Sequence, residues 1–369
     1  MKNYKIIISG GGTGGHIFPA VSIANEIRNQ FPDAEILFIG AEDRMEMERV
    51  PAAGYKIIGL PVSGFNRSHI LKNFGVMVKL AKSLRMAKKI IRDFKPDIAI
   101  GVGGYASGPT LWMASSLKIP ILIQEQNSYA GVTNKLLGKR ASKICVAYRS
   151  MEKFFPADRI VITGNPVRKD LENVREKDSE ALSYFGLEAD KPVLLIVGGS
   201  LGARTINMGV KKGLKSLIDA GIQVVWQTGK YYYKSIKEEL DDKNYKGLWF
   251  SDFISRMDYA YAVSDLIVSR AGAGTISELC LLKKAAILVP SPNVAEDHQT
   301  KNARALSDSG AAIFLSDSAA EEQLASSAIE VLGDKDKLIS LSEQIALFAQ
   351  HKSAERIVDE AVKIMKNTD

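Results

Sequence analysis

Ile6-Ile7-Ile8-Ser9-Gly10-Gly11-Gly12-Thr13-Gly14-Gly15-His16 opens the chain, and Val193-Leu194-Leu195-Ile196-Val197-Gly198-Gly199-Ser200-Leu201-Gly202-Ala203 repeats the pattern past its midpoint. Each is a short apolar run that stops at a cluster of glycines and precedes a helical stretch, the first helix being expected over residues 19–29. A strand ending in glycines ahead of a helix sets backbone N–H groups at the mouth of a parallel sheet, where a diphosphate is welcome. Further apolar strands at residues 36–39, 98–102, 121–124, 144–147, 224–227, 266–269 and 287–289 alternate with helices. That alternation predicts parallel sheets covered on both faces. The expected fold class is α/β, with two Rossmann-like doubly wound parallel-sheet domains in tandem.

A length of 369 residues suits two domains at about 100–200 residues each. The join is expected at Gly164-Asn165-Pro166-Val167-Arg168, giving a first domain over residues 1–164 and a second over 165–339. A last helix, from about Leu338 to Asn367 (340–369 in this division), is free to fold back onto either domain, the first included. Apolar residues at 46% and charged residues at 25% exclude collagen-like, disordered and disulfide-scaffold classes. Cys145 and Cys280 lie in apolar contexts without a CxxC or Cys/His cluster, so both are expected as core thiols in a reducing compartment. The N-terminus lacks a signal-peptide apolar region, which points to a cytosolic chain. Residues 98–117 carry no charge, but Gly101, Gly103, Gly104, Gly108 and Pro109 interrupt them. They predict a strand, a glycine loop and a helix start rather than a membrane span.

The net charge of +7 is unevenly spread: residues 1–165 hold 23 basic against 12 acidic residues, and residues 166–369 hold 26 against 30. Between Arg67 and Lys95 nine basic residues meet one acid, Asp93. An anionic surface is the implied partner. On a helical wheel Met77, Leu80, Leu84, Ala87, Ile91 and Phe94 share a face expected to pack on the core. The other face carries Lys79, Lys82, Arg85, Lys89 and Arg92, with Leu71, Phe74 and Val78 near its start. Apolar residues among lysines suit a membrane interface, although a solvated basic face with those three covered by a loop fits as well. No helix-turn-helix, RNP-type or zinc-finger pattern speaks for nucleic acid.

Gly10-x-Gly12-x-x-Gly15 matches the dinucleotide fingerprint formally, but the acids that would bind ribose, Glu42 and Asp43, come late and follow a glycine. Thr13 and His16 also give this loop side chains that a cofactor loop does not need. In the second half, Ser269-Arg270-Ala271-Gly272-Ala273-Gly274-Thr275-Ile276-Ser277-Glu278 follows a strand. Small residues there admit a phosphate, and Glu278 could accept two ribose hydroxyls. A capping box between Thr275 and Glu278 explains that pair but not the glycines. Farther on, Pro290-Ser291-Pro292 leads to Glu296-Asp297-His298-Gln299-Thr300-Lys301-Asn302-Ala303 at another strand end. Asp334-Lys335-Asp336 reads as solvated linker, and His16, His69, His298 and His351 never pair at metal-ligand spacing. Neither a metal nor a cofactor is expected, and a diphosphate would be neutralised by helix dipoles, N–H groups and Arg168 or Arg270.

Together these residues resemble the bacterial cell-wall glycosyltransferases of the MurG family. The resemblance runs from Ile6 to about Ala303 through GGGTGGHIFPA, GVGGYASGP, QEQNSYAG, GNPVR, GGSLGA, SRAGAGTISE and EDHQTKNA, in that order. It implies a glycosyltransferase fold of the B type, with two domains facing across a cleft. The implied reaction is inverting and metal-independent, moving N-acetylglucosamine from UDP-N-acetylglucosamine to the 4-hydroxyl of an undecaprenyl-diphospho-muramoyl-pentapeptide in peptidoglycan synthesis. Carried over by position, Thr13, Gly14, Gly15 and Asn127 face the cleft from the first domain. Arg168, Ser200, Ile254, Ala273, Gly274, Thr275, Ile276, Ser277, Glu278 and Gln299 enclose the nucleotide sugar, with a backbone contact at Ile254 reading uracil. Inversion needs a base near the acceptor. His16 is the expected base and Glu125 the reserve, while His298 is expected to orient its loop or the sugar.

A lipid-anchored acceptor makes Leu71, Phe74 and Val78, with Lys79, Lys82 and Arg85, a landing patch on an anionic membrane. The protein is then expected to be peripheral on the cytoplasmic face of the cell membrane, beside other cell-wall synthesis proteins and without nucleic acid. The rivals are a UDP-N-acetylglucosamine 2-epimerase of the same plan, a transferase acting on diacylglycerol, a non-catalytic UDP-sugar sensor, and last a dehydrogenase.

Overall fold

The computed structural model describes residues 3–63, 73–167, 171, 174, 177–240, 243–294 and 297–366, with the backbone alone of Asn73 and Phe74. Leu71 and Arg168 therefore lie outside the described residues, as does the side chain of Phe74. The chain forms two units, residues 1–168 with 350–369, and residues 169–349.

The first unit runs β1 (Lys5–Ser9), α1 (Gly14–Gln30), β2 (Glu35–Ala41), α2 (Glu46–Ala52), β3 (Lys56–Leu60), α3 (Asn73–Phe94), β4 (Ile98–Gly101), α4 (Ser107–Ser116), β5 (Ile121–Glu125), α5 (Val132–Gly138), β6 (Lys143–Val146) and β7 (Ile160–Ile162). Its seven strands pair in parallel in the order β3-β2-β1-β4-β5-β6-β7. Alternation along β1 explains its uninterrupted isoleucines. Ile6 and Ile8 enter a core with α1, while Ile7 enters the opposite core with Ala87 and Ile91 of α3 and Leu111 of α4.

The second unit runs α6 (Ser179–Phe185), β8 (Val193–Val197), α7 (Arg204–Asp219), β9 (Gln223–Gln227), α8 (Tyr233–Leu240), β10 (Leu248–Ser251), α9 (Met257–Val263), β11 (Leu266–Ser269), α10 (Ala273–Leu281), β12 (Ala285–Leu288), α11 (His298–Ser307), β13 (Ile313–Phe314), α12 (Asp317–Gly333) and α13 (Lys335–Ala346). Its six parallel strands are ordered β10-β9-β8-β11-β12-β13. Leu194 and Ile196 face α7 and α12, whereas Val193 and Leu195 face α9 and α10. Both sheets reverse direction of winding beside their first strand, between β1 and β4 and between β8 and β11. The loops that leave these strands at their carboxyl ends lie at the switch point where such sheets bind ligands.

The uncharged stretch forms β4, a loop and α4 as expected, and no helix among the described residues is long and apolar enough to cross a membrane. Both cysteines are buried and free. Four expectations are corrected. The first helix starts at Gly14 and carries Pro19 inside it. The single terminal helix is two: α13, capped by the Asp334 carboxylate on the Lys337 N–H at 3.0 Å, and α14 (Ser353–Lys366). Between them the chain leaves one core for another. Phe348 and Ala349 pack on the second unit's core, Lys352 takes a positive φ of 55°, and Ile357, Val358 and Ala361 enter the first unit's core beside α1. On α3, Met77 is 54% exposed rather than in the core, and Leu80 and Leu84 are half-buried along a groove, because the helix joins the core only from about Met86 onward. Asp334-Lys335-Asp336 is a helix start, not a linker. The strands that went unread, β3, β7, β10 and β13, are the four edge strands, with partly exposed residues and apolar runs of only two or three residues within each.

Candidate active site

In the first unit the loop after β1 is held from below by a residue that no motif indicated. Glu46, fully buried at the start of α2, accepts from the Gly12 N–H at 2.8 Å and from the Ala41 N–H at 2.9 Å. Its carboxylate thus takes up the Gly12 N–H. Thr13, exposed and extended, is the N-cap of α1; its carbonyl accepts from His16 and Ile17, and no side-chain cap forms. Gly14 and Gly15 supply the first-turn N–H groups, which precede any intrahelical bond. Gly104, in the loop after β4, crosses directly over this one. A β-carbon there would lie 2.4 Å from the Gly11 carbonyl oxygen, and its φ of +87° suits glycine.

His16, half-buried, meets Gln126 through Nδ1···Oε1 at 3.1 Å. Gln126 belongs to an enclosed amide cluster with Gln124 and Asn165, each no more than 2% exposed. Glu125, the reserve base, is 1% exposed and has both oxygens spent. Oε1 accepts from the Asn127 N–H at 3.1 Å and its side-chain amide at 3.3 Å, and Oε2 from the Gly131 N–H and Asn134 Nδ2, both at 2.9 Å. That arrangement makes Glu125 the pin of the loop after β5 and fixes the place of Asn127; it has no oxygen left for an acceptor hydroxyl.

In the second unit α10 begins at Ala273 with Gly272 as N-cap and no side-chain cap. Thr275 is therefore inside the helix and the capping box does not form. Gly274 and Thr275, half-exposed, present their N–H groups at the positive end of the helix dipole. Ile276 is a correction: its side chain is 2% exposed in the core and its N–H donates to the Gly272 carbonyl. Ser277 Oγ donates back to the Ala273 carbonyl at 2.9 Å. Glu278, half-exposed one turn into the helix, accepts from the Tyr261 hydroxyl at 2.7 Å, which fixes one carboxylate oxygen. Arg270 is a second correction. Its guanidinium pairs with Asp317 at 2.5 Å, and it donates to the Val289 and Pro290 carbonyls, so it ties β11 to α12 and is not left for a diphosphate.

Ser200 is exposed in the loop after β8. Ile254 is 1% exposed and its N–H donates to Gln227 Oε1 at 2.9 Å, so a contact with uracil would fall to its carbonyl. The segment after it is braced by Arg256, whose guanidinium holds the Asp258 carboxyl below the usual carboxylate range and lies 3.4 Å from the Tyr259 ring centroid. Gln299, in the first turn of α11, accepts from the Ser291 N–H at 2.8 Å and so anchors the loop after β12. His298 begins the same helix. Among the described residues no three His, Cys, Asp or Glu side chains are grouped to hold a metal ion.

A second feature of the first unit is an apolar groove of about 500 Å³ between α3, α4 and α5. Leu80, Leu84, Trp112, Val132 and Leu136 are among its lining residues. Leu136 (70%) stands exposed on this groove and Arg140 lies over Trp112 at 3.8 Å, while Val78 (56%), Lys79, Lys82 and Arg85 are exposed elsewhere on α3, away from the face that lines it.

Two parallel-sheet units, with glycine loops and a helix start at their switch points, have the architecture of a glycosyltransferase of the B type. The sequence profiles of the glycosyltransferase family 28 N-terminal domain and C-terminal domain match residues 6–146 and 193–357. A protein of Parabacteroides distasonis named UDP-N-acetylglucosamine–N-acetylmuramyl-(pentapeptide) pyrophosphoryl-undecaprenol N-acetylglucosamine transferase is 65% identical over 99% of both chains. The crystal structure of MurG from Acinetobacter baumannii superposes with a TM-score of 0.80 at 29% identity, covering 98% of this chain and 99% of that one. The chain belongs to the MurG family of N-acetylglucosamine transferases. A UDP-N-acetylglucosamine 2-epimerase shares the fold, with a TM-score of 0.67 over 98% of this chain and 96% of that one, but at 16% identity it shows the fold alone.

Proposed function

We propose that this chain transfers N-acetylglucosamine from UDP-N-acetylglucosamine to the 4-hydroxyl of an undecaprenyl-diphospho-muramoyl-pentapeptide, with inversion at the anomeric carbon. The observation that carries the reading is the 65% identity, over 99% of its length, to a relative named for that transfer. In the second unit the diphosphate lies at the N-terminus of α10 with Ser200 beside it, and the Glu278 carboxylate takes the ribose hydroxyls. The Ile254 carbonyl meets uracil and Gln299 the sugar. The acceptor lies against Thr13, Gly14, Gly15 and Asn127.

The acceptor oxygen attacks C1 as the C1–O bond to the diphosphate breaks. Its electron pair leaves on UDP, and the acceptor proton passes to His16 Nε2. Charge growing on the leaving diphosphate is met by the N–H groups and dipole of α10, whose orientation is set before reaction and costs nothing in the transition state. The exposed face of α3 is the membrane-facing part: Val78 enters the acyl boundary while Lys79, Lys82 and Arg85 meet anionic headgroups. The enzyme accordingly works on the cytoplasmic face of the cell membrane without spanning it, within reach of other cell-wall synthesis proteins.

The direct test is to incubate the protein with radiolabelled UDP-N-acetylglucosamine and a lipid-linked muramoyl-pentapeptide analogue. Label should enter the lipid product, and Glu278→Ala should abolish transfer and weaken nucleotide-sugar binding by about 100-fold or more. Binding without label in any lipid acceptor would favour the epimerase or the sensor.

A further inference from the structure

We propose that Gln126 is a positioning residue that sets the tautomer of His16, holding the ring proton on Nδ1 and leaving the lone pair on Nε2. The inference rests on the reading of His16 as the base. Its starting points are two backbone carbonyls, which can only accept. Asn165 Nδ2 donates to the Gln126 carbonyl at 3.0 Å, so Asn165 Oδ1 must be the atom that faces Gln124. Gln124 Nε2 therefore donates to Asn165 Oδ1, at 3.0 Å, and Gln124 Oε1 faces Gln126. Gln126 Nε2 donates to that oxygen and to the Val102 carbonyl at 2.8 Å. A flipped Gln126 would press its oxygen against two other oxygens in an enclosed site, at the full cost of an unmet buried polar group. Gln126 Oε1 is thus committed to face His16, and at 3.1 Å it can only accept from an Nδ1–H.

The cluster is rigid because all three amides are enclosed and because β5, with the loop after β6 and β7, supplies them from fixed strand ends. The ring has little freedom of its own. A β-carbon at Gly103 would come within 2.9 Å of His16 Cε1, so the imidazole lies against bare backbone. An amide does this work without setting a negative charge beside the ring, in contrast to a carboxylate orienter. An amide turned the wrong way would select the opposite tautomer and place the proton on the nitrogen that must receive one. The relay Asn165–Gln124–Gln126 excludes that orientation.

Long-range proton–nitrogen correlation spectra of the ¹⁵N-labelled protein, with His16 assigned by its loss in His16→Gln, read the tautomer directly. The expected result is a protonated Nδ1 and an unprotonated Nε2 at slightly alkaline pH. Gln126→Met, which keeps the length and removes the acceptor, should move the proton toward Nε2. It should lower kcat by about 10- to 100-fold while leaving KM for UDP-N-acetylglucosamine within about twofold. An Nε2–H signal in the native enzyme overturns the role of Gln126 without need of any variant, as does a Gln126→Met protein with native tautomer and kcat. Full transfer by His16→Gln would instead overturn the base reading on which the role depends.

Discussion

Cys145 and Cys280 are enclosed at 0% and 4% exposure, and burial pushes each thiol up to about 12. The unfolded chain would ionise both near 9.0, so above that pH the native state keeps two protons that the unfolded state gives up. Stability therefore falls as pH climbs from about 9 toward 12. A thiol reagent at pH 8 should label neither cysteine in the native protein and both in urea. The urea midpoint should drop less between pH 8 and pH 10.5 in Cys145→Ala/Cys280→Ala than in the parent chain; equal drops would assign the loss to other groups. The two thiols were legible in the sequence from their apolar surroundings. Glu46 and Gln126 were not, since a carboxylate five residues past a strand end, or a glutamine beside an already suggestive glutamate, acquires its role only when the chain brings residues 12 and 16 to it. Glu125 illustrates the reverse: it lies within a motif, but its oxygens serve the loop.

At the scale of elements, strands buried on both faces announced themselves by continuous apolar runs, and their glycine endings located the loops that matter. Edge strands did not, because their apolar runs are only two or three residues long and partly exposed. Helix α3 was legible as amphipathic yet misread at its first turn, where Met77 projects from the protein and leaves an apolar rim. That rim yields a prediction. Lys79, Lys82 and Arg85 lie on one exposed face beside Val78, and each cation near an anionic bilayer contributes about 1 kcal/mol. Replacing all three by glutamine should weaken binding to vesicles containing phosphatidylglycerol by about 100-fold at low salt. The loss should shrink as ionic strength rises and the Debye length shortens. Val78→Ser should weaken binding to a degree that salt does not change. Sedimentation of the protein with vesicles measures both, and a triple variant that binds like the parent would remove α3 from the membrane-facing surface.

For the whole molecule, the chain divides its labour as it divides its cores. Residues 350–369 belong with the first unit, where α14 fills the core beside α1, so the second unit is one continuous insertion between residues 168 and 350. The proposed nucleotide contacts, at α10, the loop after β8, the segment around Ile254 and the start of α11, all fall inside that insertion; the proposed base and acceptor contacts all fall outside it. Binding and turnover should then separate by mutation. Glu278→Ala removes the acceptor of two ribose hydrogen bonds to a charged group, worth about 3 kcal/mol together, and should weaken UDP-N-acetylglucosamine binding by about 100-fold or more in calorimetry. His16→Gln should bind the nucleotide sugar within about twofold of the parent while transfer falls by about 100-fold or more, the range of a lost general base. If His16→Gln weakened donor binding as much as Glu278→Ala does, the first unit would have to share in holding the donor, and assigning His16 to the acceptor side alone would fail.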